Sequence, residues 1–155
     1  LAHAPYYHFK FHRTLSDTEL SITSSQQKLI DDYMKNMEFC IKESKISEED
    51  LSKLDSMKEI PDNGNAKCFF ACAYKATGLL NGKGMFSPDG ALKIVKTYFS
   101  DDDEKLKITN DFIEACEAVN DVAVSDGEKG CDRAALLFSC TKEKAPLVSK
   151  HLEIS

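Results

Sequence analysis

Asn65-Ala-Lys-Cys-Phe-Phe-Ala-Cys-Ala-Tyr-Lys-Ala-Thr77 is the stretch that decides the fold of this 155-residue chain. It contains no Gly or Pro, and its apolar residues recur at helical spacing, so we predict a helix. Cys68 and Cys72 then lie one turn apart on the same helix face. Two cysteines on one rigid helix rarely reach disulfide geometry with each other, so each should bond to a different segment. The sequence therefore predicts a central helix held covalently to two other parts of the chain.

The segments around this helix also have helical patterns. An apolar stripe begins after Ser24 and consists of Leu29, Ile30, Tyr33, Met34, Met37, Cys40 and Ile41. Ser47 and Ser87-Pro88 are typical helix starts, and Gly78 is typical of the residue after a helix end. Acidic residues 101–104 favour the start of a further helix, and a last helix begins near Cys131. Pro146 is expected to separate that helix from the C-terminal tail. We predict an all-α fold of about six helices.

Two regions differ in composition. Residues 1–20 concentrate aromatic residues and three of the four histidines, without a clean helix or strand pattern, and we predict an irregular aromatic N-terminal arm. Residues 21–155 are predicted to form one helical domain, which includes the C-terminal tail 146–155. The chain starts at Leu1 without Met or a signal peptide, so we expect a mature, processed form.

Charge and cysteine content limit the partners and the compartment. The net charge of −6 argues against nucleic acid and anionic membranes, which select basic patches. No apolar run approaches the ~20 residues that span a bilayer, so we expect a soluble protein. Six cysteines in a chain of this size indicate a disulfide framework and an oxidising compartment, and hence secretion.

Geometry narrows the disulfide pairing without fixing it. Six cysteines allow 15 pairings. A Cys68–Cys72 bond is disfavoured on one helix, and Cys131 and Cys140 would be about 13.5 Å apart along a helix axis. These two exclusions leave ten pairings open.

The spacing of the cysteines is recognisable as a whole. Cys68-x3-Cys72 in the middle and Cys131-x8-Cys140 near the end resemble the six-cysteine insect odorant-binding proteins, including the pheromone-binding proteins. The wording of residues 67–72 and of Gly78-Leu-Leu-Asn-Gly-Lys-Gly84 is also similar to that family, and the match covers about residues 24–145. The resemblance implies three interlocked bridges, which are Cys40–Cys72, Cys68–Cys131 and Cys116–Cys140. The aromatic arm departs from the family's usual shorter start.

The resemblance also implies a function. Such proteins are secreted into sensillar lymph-like fluid, bind small apolar odorants or pheromones in a cavity between helices, and deliver them to membrane odorant receptors. They are expected to be monomers or weak homodimers. They need no cofactor. The candidate ligand-binding residues are Tyr33, Met37, Tyr74, Thr77, Leu92, Val95, Phe99, Ile113, Leu137 and Phe138, with Leu147 and Val148 from the tail as a lid. Hydroxyls of Tyr33, Tyr74 and Thr77 are suited to orient a ligand oxygen.

Other chemistries find little support in the sequence. There is no nucleophile elbow, zinc-protease motif or phosphate-binding Gly loop, so we expect no enzyme and no catalytic residues. His8 and His12 are four residues apart, but two ligands make a weak metal site, and none is expected. His151 is the histidine placed to sense pH near the body, or it is simply exposed. Two alternatives remain open, a non-olfactory carrier of lipids or other apolar ligands and a disulfide-stapled interaction module with a solid core.

Overall fold

The computed structural model describes residues 23–56, 59–99 and 102–152, with side chains as far as residue 144 except that of residue 55. Within these ranges the chain forms six α-helices: α1 (Ser24–Ser44), α2 (Glu48–Ser52), α3 (Gly64–Thr77), α4 (Pro88–Tyr98), α5 (Asp103–Cys116) and α6 (Cys131–Leu152). Short 3-10 helices follow α2 at Leu54–Ser56 and α5 at Glu117–Asp121. A third, Gly127–Lys129, lies within the loop before α6. The all-α prediction is confirmed. The aromatic arm, with His8 and His12, lies outside the described residues.

Local sequence explains where the helices begin and end. The side chain of each N-cap residue accepts a hydrogen bond from a backbone N–H in the first turn, which satisfies a group that has no partner inside the helix. These N-cap residues are Thr23, Ser47, Asn63, Ser87 and Asp102. Gly78 ends α3 with a φ of 86°, a left-handed conformation that glycine adopts without strain. The predicted starts at Ser24, Ser47 and Ser87-Pro88 are confirmed.

The three disulfides are Cys40–Cys72, Cys68–Cys131 and Cys116–Cys140, as the resemblance implied. They join α1 to α3, α3 to α6, and α5 to α6. The central helix α3 therefore has covalent bonds to two other helices, as its Cys-x3-Cys spacing predicts.

Five helices form a closed ring. α1 packs on α3, α3 on α6, α6 on α5 and α5 on α4, and α4 returns to α1. Helices α3 and α4 are therefore not neighbours in the ring. They approach closely at one place, where a Cβ added to Gly90 would lie 1.8 Å from the Gly78 carbonyl oxygen.

Two groups of buried side chains hold the ring together. The first cluster contains Ala71, Leu80, Phe86, Ala91, Cys116, Val119, Cys131, Ala134 and Leu137. The second cluster contains Cys40, Ile46, Ile60, Ala66, Phe69 and Phe138. Helices α3 and α6 each contribute residues to both clusters, so this pair, which the Cys68–Cys131 bridge also joins, connects them.

Asn120 anchors the connection between α3 and α4. Leu80 and Phe86 form an isolated antiparallel bridge within this connection, and both are almost fully buried. The Asn120 side chain accepts a hydrogen bond from the Phe86 N–H at 2.8 Å and donates one to the Phe86 carbonyl at 2.9 Å. One amide thus satisfies both backbone groups of a buried residue.

The expectation that Pro146 ends the last helix is wrong. The backbone of α6 continues through Pro146 to Leu152. A proline within a helix lacks one backbone donor and crowds the preceding turn, so a helix break is the usual result. Here the residues after Pro146 extend α6 by more than one turn instead of starting a separate tail.

Candidate ligand-binding site

The apolar face of α4 carries three of the predicted ligand-binding residues. Leu92 and Val95 lie three residues apart on one side of the helix, and Phe99 is its C-cap residue. Val95 is buried, and Leu92 and Phe99 are half-buried. The Lys105 ammonium on α5 lies 5.1 Å from the centre of the Phe99 ring. The three predicted residues of this region are thus turned away from bulk solvent.

Tyr74 on α3 is half-buried and packs against the first cluster. Its ring centroid lies 6.2 Å from that of Phe70, and the Phe70 centroid lies 4.9 Å from that of Phe138 on α6. Burial raises the pKa of the Tyr74 hydroxyl, so it stays a neutral donor at physiological pH. Its backbone carbonyl accepts hydrogen bonds from the Leu80 N–H and from the Thr77 hydroxyl, both at 3.1 Å.

Four other predicted residues are packed inside the ring. Met37 is half-buried against the second cluster, and Ile113 is half-buried against the first. Leu137 and Phe138 are buried members of the first and second clusters, respectively. Ile113 and Tyr74 pack against the same cluster, and the Phe138 ring contacts Phe70, which in turn contacts Tyr74.

The remaining predicted residues are placed differently. Tyr33 is 52% exposed on α1, and Thr77 is exposed at the end of α3. The Thr77 hydroxyl donates to the Tyr74 carbonyl within its own helix at 3.1 Å. The side chains of Leu147, Val148 and His151 lie outside the described residues.

A polar contact completes the ring between α1 and α4. Asp32 accepts hydrogen bonds from the Lys28 ammonium at 2.5 Å and from the Tyr98 hydroxyl at 2.6 Å. The bonds from Lys28 and Tyr98 hold the pKa of Asp32 below its ordinary value, and the bonds to Asp32 raise the pKa of Lys28 and of Tyr98. The Lys28 ammonium also lies 5.4 Å from the centre of the Tyr98 ring.

Other chemical features are sparse in the described part of the chain. A surface hollow at the starts of α2 and α3 is lined by Ser47, Asp50, Asn63, Gly64 and Asn65, and none of them is a predicted ligand residue. Among the residues that the structure describes, no group of three His, Cys, Asp or Glu side chains could hold a metal ion. No described helix is long and apolar enough to cross a membrane.

Comparison with known proteins gives the family. The model of the PBP/GOBP family matches residues 23–144, which contain all six cysteines. The chain belongs to the PBP/GOBP family. This membership confirms the resemblance to insect odorant-binding proteins that the cysteine spacing indicates.

Two proteins of Drosophila melanogaster are similar to this PBP/GOBP protein at 24–28% identity. General odorant-binding protein 19d of Drosophila melanogaster is 28% identical over 105 residues, which are 68% of this chain and 66% of that protein. The aligned part thus spans just under two thirds of the relative's length. The solved structure of odorant-binding protein dmelOBP28a from Drosophila melanogaster is similar with a TM-score of 0.60 and 24% identity, covering 79% of this chain and 97% of that one.

A second solved structure has the same fold. Odorant Binding Protein 7 from Anopheles gambiae, with four disulfide bridges and in complex with an azo compound, gives a TM-score of 0.57 at 24% identity. The match covers 82% of this chain and 93% of that one. The PBP/GOBP protein described here has three disulfides among its six cysteines.

Sequence reasoning missed Phe70 and the pair formed by Asp32 and Tyr98. Phe70 lies one turn before Tyr74, so the helical spacing of the central stretch could have placed both on one face. Asp32 and Tyr98 are 66 residues apart, and nothing in the local pattern joins them.

Proposed function

We propose that this PBP/GOBP protein is a secreted, non-enzymatic carrier of small apolar molecules such as odorants or pheromones. It binds them inside the helix ring and delivers them to membrane receptors. Family membership supports the carrier role, and the three disulfides suit an extracellular compartment. The complex of the Anopheles protein with an azo compound supports a small organic ligand.

The apolar face of α4 is the observation that carries this proposal. Val95 is buried and Leu92 and Phe99 are half-buried, and small-molecule sites are lined mainly by apolar side chains of this kind. Met37, Ile113, Leu137 and Phe138 are the proposed lining residues on the neighbouring helices. The exposure of Tyr33 and Thr77 gives their proposed ligand contact no support. The lid formed by Leu147 and Val148 remains a prediction.

Tyr74 is the proposed polar contact to the ligand. Its neutral hydroxyl donates a hydrogen bond to an alcohol, aldehyde or ester oxygen. Burial of sixteen methylene groups, within the 10–18 carbons tested below, contributes roughly 13 kcal/mol, and the hydrogen bond adds about 1 kcal/mol. Costs of binding of about 6 kcal/mol leave about −8 kcal/mol, so we expect reversible binding in the micromolar range.

Displacement of an apolar fluorescent probe by alcohols, aldehydes, esters and alkanes of about 10–18 carbons tests the proposal. Tyr74→Phe should weaken binding of the oxygenated compounds by roughly 2- to 13-fold and leave the alkanes unchanged, because one hydrogen bond is lost. Tyr98→Phe is the matched control, since its hydroxyl bonds to Asp32, and it should change neither class.

The results separate the carrier from its alternatives. Saturable displacement supports the carrier, and an equal effect of both tyrosine variants would reject Tyr74 as the ligand contact. Absence of displacement with all three disulfides intact would reject the carrier and favour a module with a solid core. Unchanged ligand release after deletion of residues 146–155 would reject the lid.

A further inference from the structure

Helix α1 carries a row of apolar side chains that extends outward from the core. The row, which we call the α1 stripe, consists of Ile30, Tyr33, Met34 and Met37, at helical spacings of three and four residues. Met37 is half-buried against the second cluster. The other three are 45%, 52% and 60% exposed, respectively. The stripe is thus continuous with the packed interior at one end and open to solvent at the other.

The continuity of the stripe distinguishes it from isolated exposed residues. Single apolar side chains on a surface are common, whereas contiguous apolar patches mark docking sites. Phe39 on the same helix is 58% exposed. It lies nine residues after Ile30, which at about 100° per residue is the opposite side of the helix. Phe39 therefore provides a matched control of similar size and exposure.

We propose that the aromatic residues of the N-terminal arm of this same chain dock on the α1 stripe. Although residues 1–20 as a whole show no strand pattern, Tyr7, Phe9 and Phe11 alternate with His8, Lys10 and His12 over six residues. In an extended segment, residues two apart lie on the same side, so the three aromatic rings would share one face. An apolar face of this kind matches a row of Ile, Tyr and Met side chains.

The length of the connecting chain permits this contact. The arm joins the helix at Thr23, and Phe11 lies 12 residues earlier. That connection can span up to about 40 Å when extended. Ile30 and Met37 lie only about 10 Å and about 21 Å along the helix axis from Thr23. The aromatic residues can therefore reach either end of the stripe.

Charge also favours the arm. Residues 1–15 contain Lys10 and Arg13 and no carboxylate, although the whole chain has a net charge of −6. Helix α1 has four carboxylates, at positions 31, 32, 38 and 43, and three lysines, at positions 28, 35 and 42, so its net charge is −1. Lys35 is adjacent to Met34, and Glu38 is paired with Lys42 at 3.3 Å. The net attraction between the basic arm and α1 is therefore weak but has the favourable sign.

Tethering favours the arm over a second copy of the chain. A short flexible connection holds a segment at an effective concentration in the millimolar range. A second copy reaches the stripe only at its own, usually much lower, concentration. For the same apolar contact area, the intramolecular contact therefore persists when the protein is diluted, whereas a dimer dissociates.

Photo-cross-linking of the full-length protein tests the proposal. Phe9→p-benzoylphenylalanine and Phe11→p-benzoylphenylalanine are irradiated in a mixture of unlabelled and ¹⁵N-labelled chains, and tryptic peptides are analysed by mass spectrometry after reduction. Cleavage after Lys28 and Lys35 isolates a peptide that contains Ile30, Tyr33 and Met34. We expect cross-links from position 9 or 11 to this peptide within one chain.

Variants of the stripe make the test specific. Ile30→Ser/Met34→Ser should lower the yield of this cross-link roughly tenfold, which corresponds to about 1.4 kcal/mol, and Phe39→Ser should leave it unchanged. Cross-links to other helices, cross-links between labelled and unlabelled chains, or no cross-link would each overturn the proposal; the second result would assign the stripe to a dimer. Because the first measurement uses an unaltered stripe, it decides the question even if the double variant does not fold.

Discussion

Replacement of Gly90 by alanine tests how closely α4 approaches α3. The added Cβ would lie 1.8 Å from the Gly78 carbonyl oxygen and 2.8 Å from the Gly78 carbonyl carbon. Ordinary contact begins near 3.4 Å, so the two helix ends must separate by about 1.6 Å. Both obstructing atoms belong to the backbone, and a side-chain rotation cannot remove the clash.

The expected magnitude follows from two opposing effects. Overpacking of a close contact costs about 3 kcal/mol, and alanine recovers up to about 1 kcal/mol of helix propensity relative to glycine. We expect Gly90→Ala to lower the free energy of unfolding by about 2 kcal/mol, and the melting temperature by roughly 4–8 °C for a chain of this length.

Equilibrium unfolding in urea with the disulfides intact measures this change. Gly64→Ala is the matched control, because Gly64 also lies in the first turn of a helix but has nothing within 4 Å of an added Cβ. The control should be neutral or stabilised by up to about 1 kcal/mol. If Gly90→Ala is as stable as Gly64→Ala, the close approach of the two helices does not exist and the ring is more open than described.

Three further changes test other parts of the fold. Asn120→Ala should lower the free energy of unfolding by about 2 kcal/mol, because two hydrogen bonds to Phe86 are lost, whereas Asn110→Ala, whose amide bonds only to its own helix, should have almost no effect in the same urea assay. Asp32 has a lowered pKa in the folded state, so its contribution to stability is complete above its ordinary pKa of 3.8 and is lost as the pH falls through the lower folded value. Acid titration followed by circular dichroism should therefore show a smaller loss of stability for Asp32→Asn than for the wild type; an identical acid profile would refute the α1–α4 contact. Cys116→Ser/Cys140→Ser removes a bridge across 24 residues and should cost about 3.5 kcal/mol by the loop-entropy relation, and a thermal melt unchanged by this double substitution would contradict it.

Local signals made most of the helices predictable. Ser47, Ser87 with Pro88, and Gly78 act through hydrogen bonds or backbone angles of their immediate neighbours, so their roles can be read without the fold. The prediction at Pro146 was wrong because it also used only local sequence. The local cost of a proline did not end α6, which continues to Leu152. The disulfide pairing needed the resemblance, because helix geometry alone left ten possibilities.

The site was less predictable than the helices. Helical spacing identified α4 residues such as Val95 as one apolar face, but it could not tell whether that face is packed or lines a space. The same spacing put Tyr33 on a helix stripe without showing that this part of α1 is exposed. Contacts between distant residues, such as Asp32 with Tyr98 and Asn120 with Phe86, depend on the assembled ring and leave no mark in the local sequence.

The overlap of the three disulfides has a consequence for proteolysis. The first bridge ends at Cys72, after the second has begun at Cys68, and the second ends at Cys131, after the third has begun at Cys116. Every peptide bond between Cys40 and Cys140 is therefore enclosed by at least one bridge. A protease that cuts once in this region, even in an exposed loop, releases no fragment, and the two pieces separate only when the disulfides are reduced.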